Sequence, residues 1–311
     1  MLTAVRLGGY VGVLGVVFGA AWGGGALLQE DLAALPVPLA EHSVADAVRE
    51  AAAERVSAPA PPAATVTDGL SASADGYTLT AATSTFTANR TADLTLRLTG
   101  PDGQPVAAYT GRPDGSELRL LVIRRDGVGL QILYPERTDD GAWTTPLRLA
   151  GAGAWRAIVE FTPGGAAPLT LGTDLSVPGD FRPTDPAPSR AAEVDGYQVR
   201  LDGDLRPGTE SAIFATVSRG GRGVTDLEAQ RGTFGEIVAM RAGDCAMVPV
   251  TAQTRAEPID RSGPGIAFTT VVPTDGVYTL YLRFHHNGAD HLATFTVPTF
   301  GLGTGPAGVS R

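Results

Sequence analysis

The stretch ELRLLVIRRDGVGLQILYP, residues 117–135, decides the fold. It holds two apolar runs, 118–123 and 130–134, joined through Asp126 and Gly127. An Asp-Gly pair between two β-rich runs signals a hairpin, because glycine accepts the positive φ that a tight turn demands. A related pattern returns as EIVAMRAGDCAMVPV, residues 236–250. The two read as corresponding hairpins of two repeated β-domains.

Blocks on either side of the hairpins match in the same order. DGY at 195–197 repeats DGY at 75–77, and 209–217 answers 91–98. Residues 236–241 answer 119–124, 276–284 answer 153–161, and 291–297 answer 169–177. Within each block apolar and polar residues alternate, as at 77–81 and in DLTLRL at 93–98, the mark of half-buried strands. Turns at PDG 101–103, PDG 113–115 and DDG 139–141 separate them. A further strand is expected at 106–109. About seven or eight strands at regular spacing, with no helical pattern between them, predict an antiparallel sandwich. The expected fold is all-β, two tandem Ig-like sandwiches at 75–178 and 195–299. Residues 179–194 join them, and 300–311 form a tail. The stretch 178–188 holds Pro178, Pro183, Pro186 and Pro188, which predicts restricted motion between the domains.

Ahead of the sandwiches, residues 7–28 carry no charge. That run is long enough to cross a hydrocarbon layer of about 30 Å. Arg6 precedes it, and Glu30 and Asp31 follow, which places the bulk of the chain outside the membrane. The expectation is a membrane anchor at 1–28; small residues at 23–26 leave a cleaved signal peptide as the alternative. Residues 29–74 form a stalk, with a short Ala-rich helix capped at Ser43 and a Pro/Ala linker at 57–67.

The 311 residues hold 40 glycines and 23 prolines, which suits many turns. All 24 basic residues are arginine. A net charge of −9 without a basic cluster argues against nucleic-acid binding. The single cysteine, Cys245, excludes an intrachain disulfide, so each core must stand unaided.

The segments LRLLVIRRDGVGLQILYP, GAWRAIVEFTPGG, LTLGTDLSVPGDF, DGYQVRLDGDL and GEIVAMRAGD resemble a group of membrane-anchored or secreted actinobacterial proteins with tandem β-sandwich domains. The resemblance covers residues 75–298. In that group the hairpins carry His-x-His pairs, and the resemblance implies heavy-metal binding outside the membrane. Two such imidazoles share one face of a strand. Here Arg119, Ile132 and Tyr134 stand at the histidine positions of the first hairpin. Glu236, Pro249 and Thr251 stand at those of the second, and His286 alone matches. The scaffold is expected to survive these changes and the imidazole site to be lost.

A remodelled copper or zinc site in the second repeat is the alternative, with Glu236, Cys245, Met247 and His286 as ligands, since soft sulfur suits Cu(I). The competing reading is that Met240, Cys245 and Met247 fill a core, and that His285, His286 and His291 decorate a hairpin tip. Asp139, Asp140, Asp202 and Asp204 sit in turns, where aspartate bonds local amides, with no EF-hand spacing. There is no Gly-x-Ser-x-Gly elbow, and the glycine-rich residues 219–223 lack a phosphate-loop Lys. The expectation is therefore a non-enzymatic, membrane-anchored, extracytoplasmic binding or scaffold protein without a cofactor. It would meet a protein partner in the cell envelope through sandwich edges and hairpin faces.

Overall fold

A computed structural model describes residues 67–257 and 259–300. The anchor at 1–28, the stalk helix, most of the Pro/Ala linker, His42 and the tail beyond Phe300 lie outside the described residues. Among the described residues there are strands and no helix, so none is long and apolar enough to cross a membrane.

The first repeat contains β1 (Ser73–Ala74), β2 (Tyr77–Ala81), β3 (Thr91–Thr99), β4 (Leu118–Arg124), β5 (Gln131–Leu133), β6 (Glu136–Arg137), β7 (Trp143–Arg148), β8 (Gly153–Phe161) and β9 (Leu169–Val177). They form two antiparallel sheets, in the orders β1-β2-β3-β7-β6 and β5-β4-β8-β9. The second repeat contains β10 (Ala191–Val194), β11 (Tyr197–Asp202), β12 (Glu210–Arg219), β13 (Arg222–Gly223), β14 (Leu227–Glu228), β15 (Gly235–Arg241), β16 (Met247–Val248), β17 (Val250–Ala252), β18 (Arg261–Ser262), β19 (Gly265–Val271), β20 (Val277–His286) and β21 (Ala289–Pro298). One sheet runs β10-β11-β12-β19-β17; the other holds β16-β15-β20, with β21 and the short β14 also on β20.

The two repeats share one topology. β2-β3-β7-β6 and β11-β12-β19-β17 each give the strand order A-B-E-D, and β4-β8-β9 and β15-β20-β21 each give C-F-G. That is the arrangement of a constant-type immunoglobulin sandwich. Two differences from the sequence reading are local. Residues 106–109 run irregularly, held by the Val106 amide on Leu98 O (2.9 Å) and the Gly164 amide on Ala108 O (2.8 Å). The stretch expected as linker ends in β10, which pairs with β11.

The hairpin at 117–135 turns where Asp126-Gly127 demanded. Gly127 has φ +79° and its amide donates to Arg124 O at 2.8 Å. β4 pairs with β5 from Leu120↔Leu133 to Val122↔Gln131. Each sandwich closes over its own core. Leu118, Leu120, Val122, Trp155 and Val159 lie in the first, and Ile237, Ala239, Tyr278, Leu280 and Leu282 in the second.

At the start of each F strand a large ring is tied to the carbonyl four residues upstream. The Tyr278 hydroxyl donates to Thr274 O at 2.8 Å. Trp155, at the equivalent place in β8, donates Nε1–H to Gly151 O at 3.3 Å. The Tyr278 contact is the tyrosine corner of immunoglobulin domains, and the Trp155 contact is its indole counterpart.

Candidate functional site at the junction of the repeats

Leu118–Ile123 does not alternate, and every residue in it is buried. A strand buried on both faces must touch something on each. Even-numbered β4 positions face the first core. Leu121 and Ile123 face the other way, into a separate cluster with Leu130, Ile158, Val238, Met240, Cys245 and Tyr281. This cluster takes residues from β4 and β8 of one repeat and β15 and β20 of the other. The C–F faces of the two sandwiches therefore pack against each other. The hairpin faces, expected to be open to a partner, are instead consumed inside the chain, because their outward residues are as apolar as those pointing inward.

Polar contacts seal the edges of the apolar patch. The Tyr281 hydroxyl donates to Gly127 O at 2.6 Å. Arg125 Nη1 donates to Asp244 O at 3.0 Å, and Cys245 Sγ lies 3.7 Å from Arg125 O. Burial pushes the Cys245 thiol and the Tyr281 phenol up, so both stay neutral at neutral pH. The entering chain crosses the junction as well. Buried Arg156 donates to Gly69 O at 3.0 and 2.7 Å, and the Met247 amide to Asp68 O at 2.8 Å. The linker lies against the first repeat. Its Thr184 amide donates to Asp126 Oδ2 at 2.9 Å, and Arg124 sits over Phe181 at 5.5 Å.

At one end of the junction the apolar patch gives way to charge. Arg119 pairs with Glu160 across β4 and β8, and with Glu236 of the other repeat. Glu236 also meets Arg283 Nη2 at 2.8 Å, and Arg112 meets Glu160 at 3.8 Å. Arg283 Nη2 donates to the Tyr134 hydroxyl at 2.9 Å, and the Arg231 guanidinium lies over the Tyr134 ring at 3.6 Å. Arg112, Arg119, Glu160, Arg231, Glu236 and Arg283 wall a cleft of ≈ 540 Å³ whose apolar side includes Phe234, Val248 and Val250. β17 borders it. Among the described residues that strand pairs with β19 alone, so it is an edge strand, and its Val250, Thr251 and Ala252 line the cleft.

The four residues proposed as metal ligands occupy different parts of this layout. Glu236 stands in the cleft wall between two arginines. Cys245 is buried in the inter-repeat cluster, and Met247 packs on that cluster from β16. His286 lies at the far end of β20, with Nδ1 2.6 Å from the Tyr197 hydroxyl and Nε2 3.0 Å from Asp226. Met247 pairs with Met240, which faces Thr279, whereas Glu236 faces Arg283. From Thr279 to His286 the strand runs about 23 Å. Strand geometry thus separates His286 from the sulfur pair, and the four do not share one coordination sphere. Among the described residues no group of three or more His, Cys, Asp or Glu side chains could hold a metal ion. His285 and His291 are bonded to carboxylates, of Asp290 and Asp195 respectively, each at 2.8 Å.

Tyr134, Arg231 and Tyr281 escaped the sequence reading as junction residues. The available signal was β4 itself, apolar on both faces but for Arg119, which calls for burial on both faces.

A family model described as Domain of unknown function (DUF8832) matches residues 192–301, the second repeat and less than half of the chain. No curated protein matches in sequence. Among solved structures the chain is similar to FdeC, an Escherichia coli adhesin, at 15% identity over 72% of this chain and 65% of that one, with a TM-score of 0.26. It is similar to invasin, a bacterial integrin-binding protein, at 14% identity over 74% and 41%, with a TM-score of 0.21. A Salmonella alpha-2-macroglobulin gives 14% identity over 76% and 16%, with a TM-score of 0.26. The chain spans less than two thirds of the length of each. At these identities and scores the likeness carries no functional argument; the Ig-like assignment rests on the strand order above.

Proposed function

We propose that this protein is a non-enzymatic, extracytoplasmic binding module whose ligand site is the cleft at the junction of the repeats. The observation that carries the reading is the open edge of β17, Val250–Ala252, set in a cleft walled by both sandwiches. A strand edge of this kind offers backbone donors and acceptors to an extended polypeptide, and the surrounding pockets supply selectivity. The locked C–F faces support the same reading, because a preformed cleft spares the partner the entropic cost of ordering it. Glu160 and Glu236 are already engaged by arginines, an arrangement suited to holding a wall in place rather than to moving protons. The uncharged run at 7–28, flanked by Arg6 and by Glu30 and Asp31, supports tethering to the membrane with the sandwiches outside.

Site-directed photocrosslinking in the native envelope tests this. A crosslinking residue at exposed Thr251 should give a discrete protein adduct. The same residue at exposed Thr80, on the A-B-E-D face of the first repeat, should not. Equal labelling from both positions, or none from Thr251, would remove the cleft from consideration.

A further inference from the structure

The charged residues of the junction stand at equivalent places in the two repeats with opposite signs. Arg119 and Glu236 hold the same position of strand C, and Glu160 and Arg283 the same position of strand F. The ladders confirm the equivalence: Arg119 faces Glu160 across β4 and β8, and Glu236 faces Arg283 across β15 and β20. The apolar residues of the two faces, by contrast, are alike in kind. Leu121 answers Val238, Ile123 answers Met240, and Ile158 answers Tyr281. Equivalent residues also meet each other at the junction, as Arg119 and Glu236 do. That is the signature of pairing about an approximate two-fold axis, in which each partner offers the same patch.

Hydrophobic matching alone would let like repeats pair as well as unlike ones. The charges forbid it. Two first repeats brought together this way would oppose Arg119 to Arg119 where the junction now sets Arg119 against Glu236. Arg119 is nearly enclosed, with its side chain 8% exposed, so water would do little to screen the repulsion.

We propose that the C–F face is a charge-coded pairing surface that accepts only an unlike repeat. Its one other occupant is then the unlike repeat of a second copy of this chain, in a reciprocal exchange. Residues 178–190 join the last strand of one repeat to the first of the next, and extended they reach about 45 Å, enough to hand one repeat across to a neighbour. The inference does not depend on what the cleft binds.

Three charge variants of the full chain test it. R119E/E160R gives the first repeat the charges of the second, and E236R/R283E does the converse. Each should open its own junction and alkylate Cys245 at least about tenfold faster than the unmodified chain. R119E/E160R/E236R/R283E restores complementarity with every sign inverted, and Asp114 remains to hold Arg112. Its alkylation should return to within about threefold of the original rate. Mixed in equal amounts, the two double variants are complementary only to each other, and native mass spectrometry should show a 1:1 dimer that neither forms alone. A quadruple variant as labile as the doubles would overturn the code, even if the doubles fail to fold. A mixture that stays monomeric while both chains are folded by circular dichroism would overturn the exchange.

Discussion

The corner ring at the head of strand F shows how much one side chain carries. Tyr278 is fully buried, and its hydroxyl donates to Thr274 O across the E–F turn. Removing the hydroxyl leaves that carbonyl without its donor and keeps the ring in place. Tyr278→Phe should therefore cost about 1–2 kcal/mol in urea unfolding, with the slope unchanged. A loss near zero would mean the carbonyl finds water instead. Asp126 acts on a different axis. Burial alone would raise its pKa, but the hydrogen bonds from Arg124 and the Thr184 amide outweigh burial and hold the carboxyl below the usual range. Its folded pKa is thus lower than its unfolded one, so the carboxylate contributes stability above pH ~4 that disappears as pH falls below that value. Hydrogen exchange at the Thr184 amide should accelerate, relative to intrinsic rates, on acidification from pH 5 to 3. In Asp126→Asn this acid-dependent step should vanish.

At the scale of the element, β4 and β15 are the strands to test, because each serves a sandwich core on one face and the junction on the other. Ile158, on β8 beside β4, is fully buried in the junction cluster and absent from the first core. Ile158→Ala leaves a cavity between the repeats and should cost about 2–4 kcal/mol. Because the defect lies at the junction, alkylation of Cys245 should accelerate while the first core keeps its hydrogen-exchange protection. Val159→Ala, one residue on but facing the first core, should show the opposite pattern. Identical behaviour of the two would mean that the sandwiches and their junction unfold as one unit.

For the whole molecule, the proline-rich linker and the face-to-face packing act together. The prolines limit the paths available to residues 178–190, while the apolar cluster and its charged rim select one arrangement. The duplication explains both the repeated topology and the approximate symmetry of the junction. The sign inversion at positions 119, 160, 236 and 283 is what turns two similar domains into a matched pair.

Much of this was legible in the chain itself. The Asp-Gly hairpin, the period-two blocks and their ordered recurrence determined an antiparallel sandwich occurring twice, since strand alternation and turn chemistry are local properties. The opposite charges at 119 and 236 were also visible in the aligned blocks, but nothing local says that two residues more than a hundred positions apart will touch. The same holds for the proposed ligand set: Cys245 and Met247 share one hairpin and His286 ends a later strand of the same repeat, and only the register of β15, β16 and β20 shows that strand geometry keeps the histidine away from the sulfurs. The run of β4, apolar on both faces but for Arg119, announced a second buried face without naming what covers it. Periodicity reports which way a side chain points; what it meets there depends on contacts between distant segments, and only the tertiary structure decided that the outer face of one repeat belongs to the other.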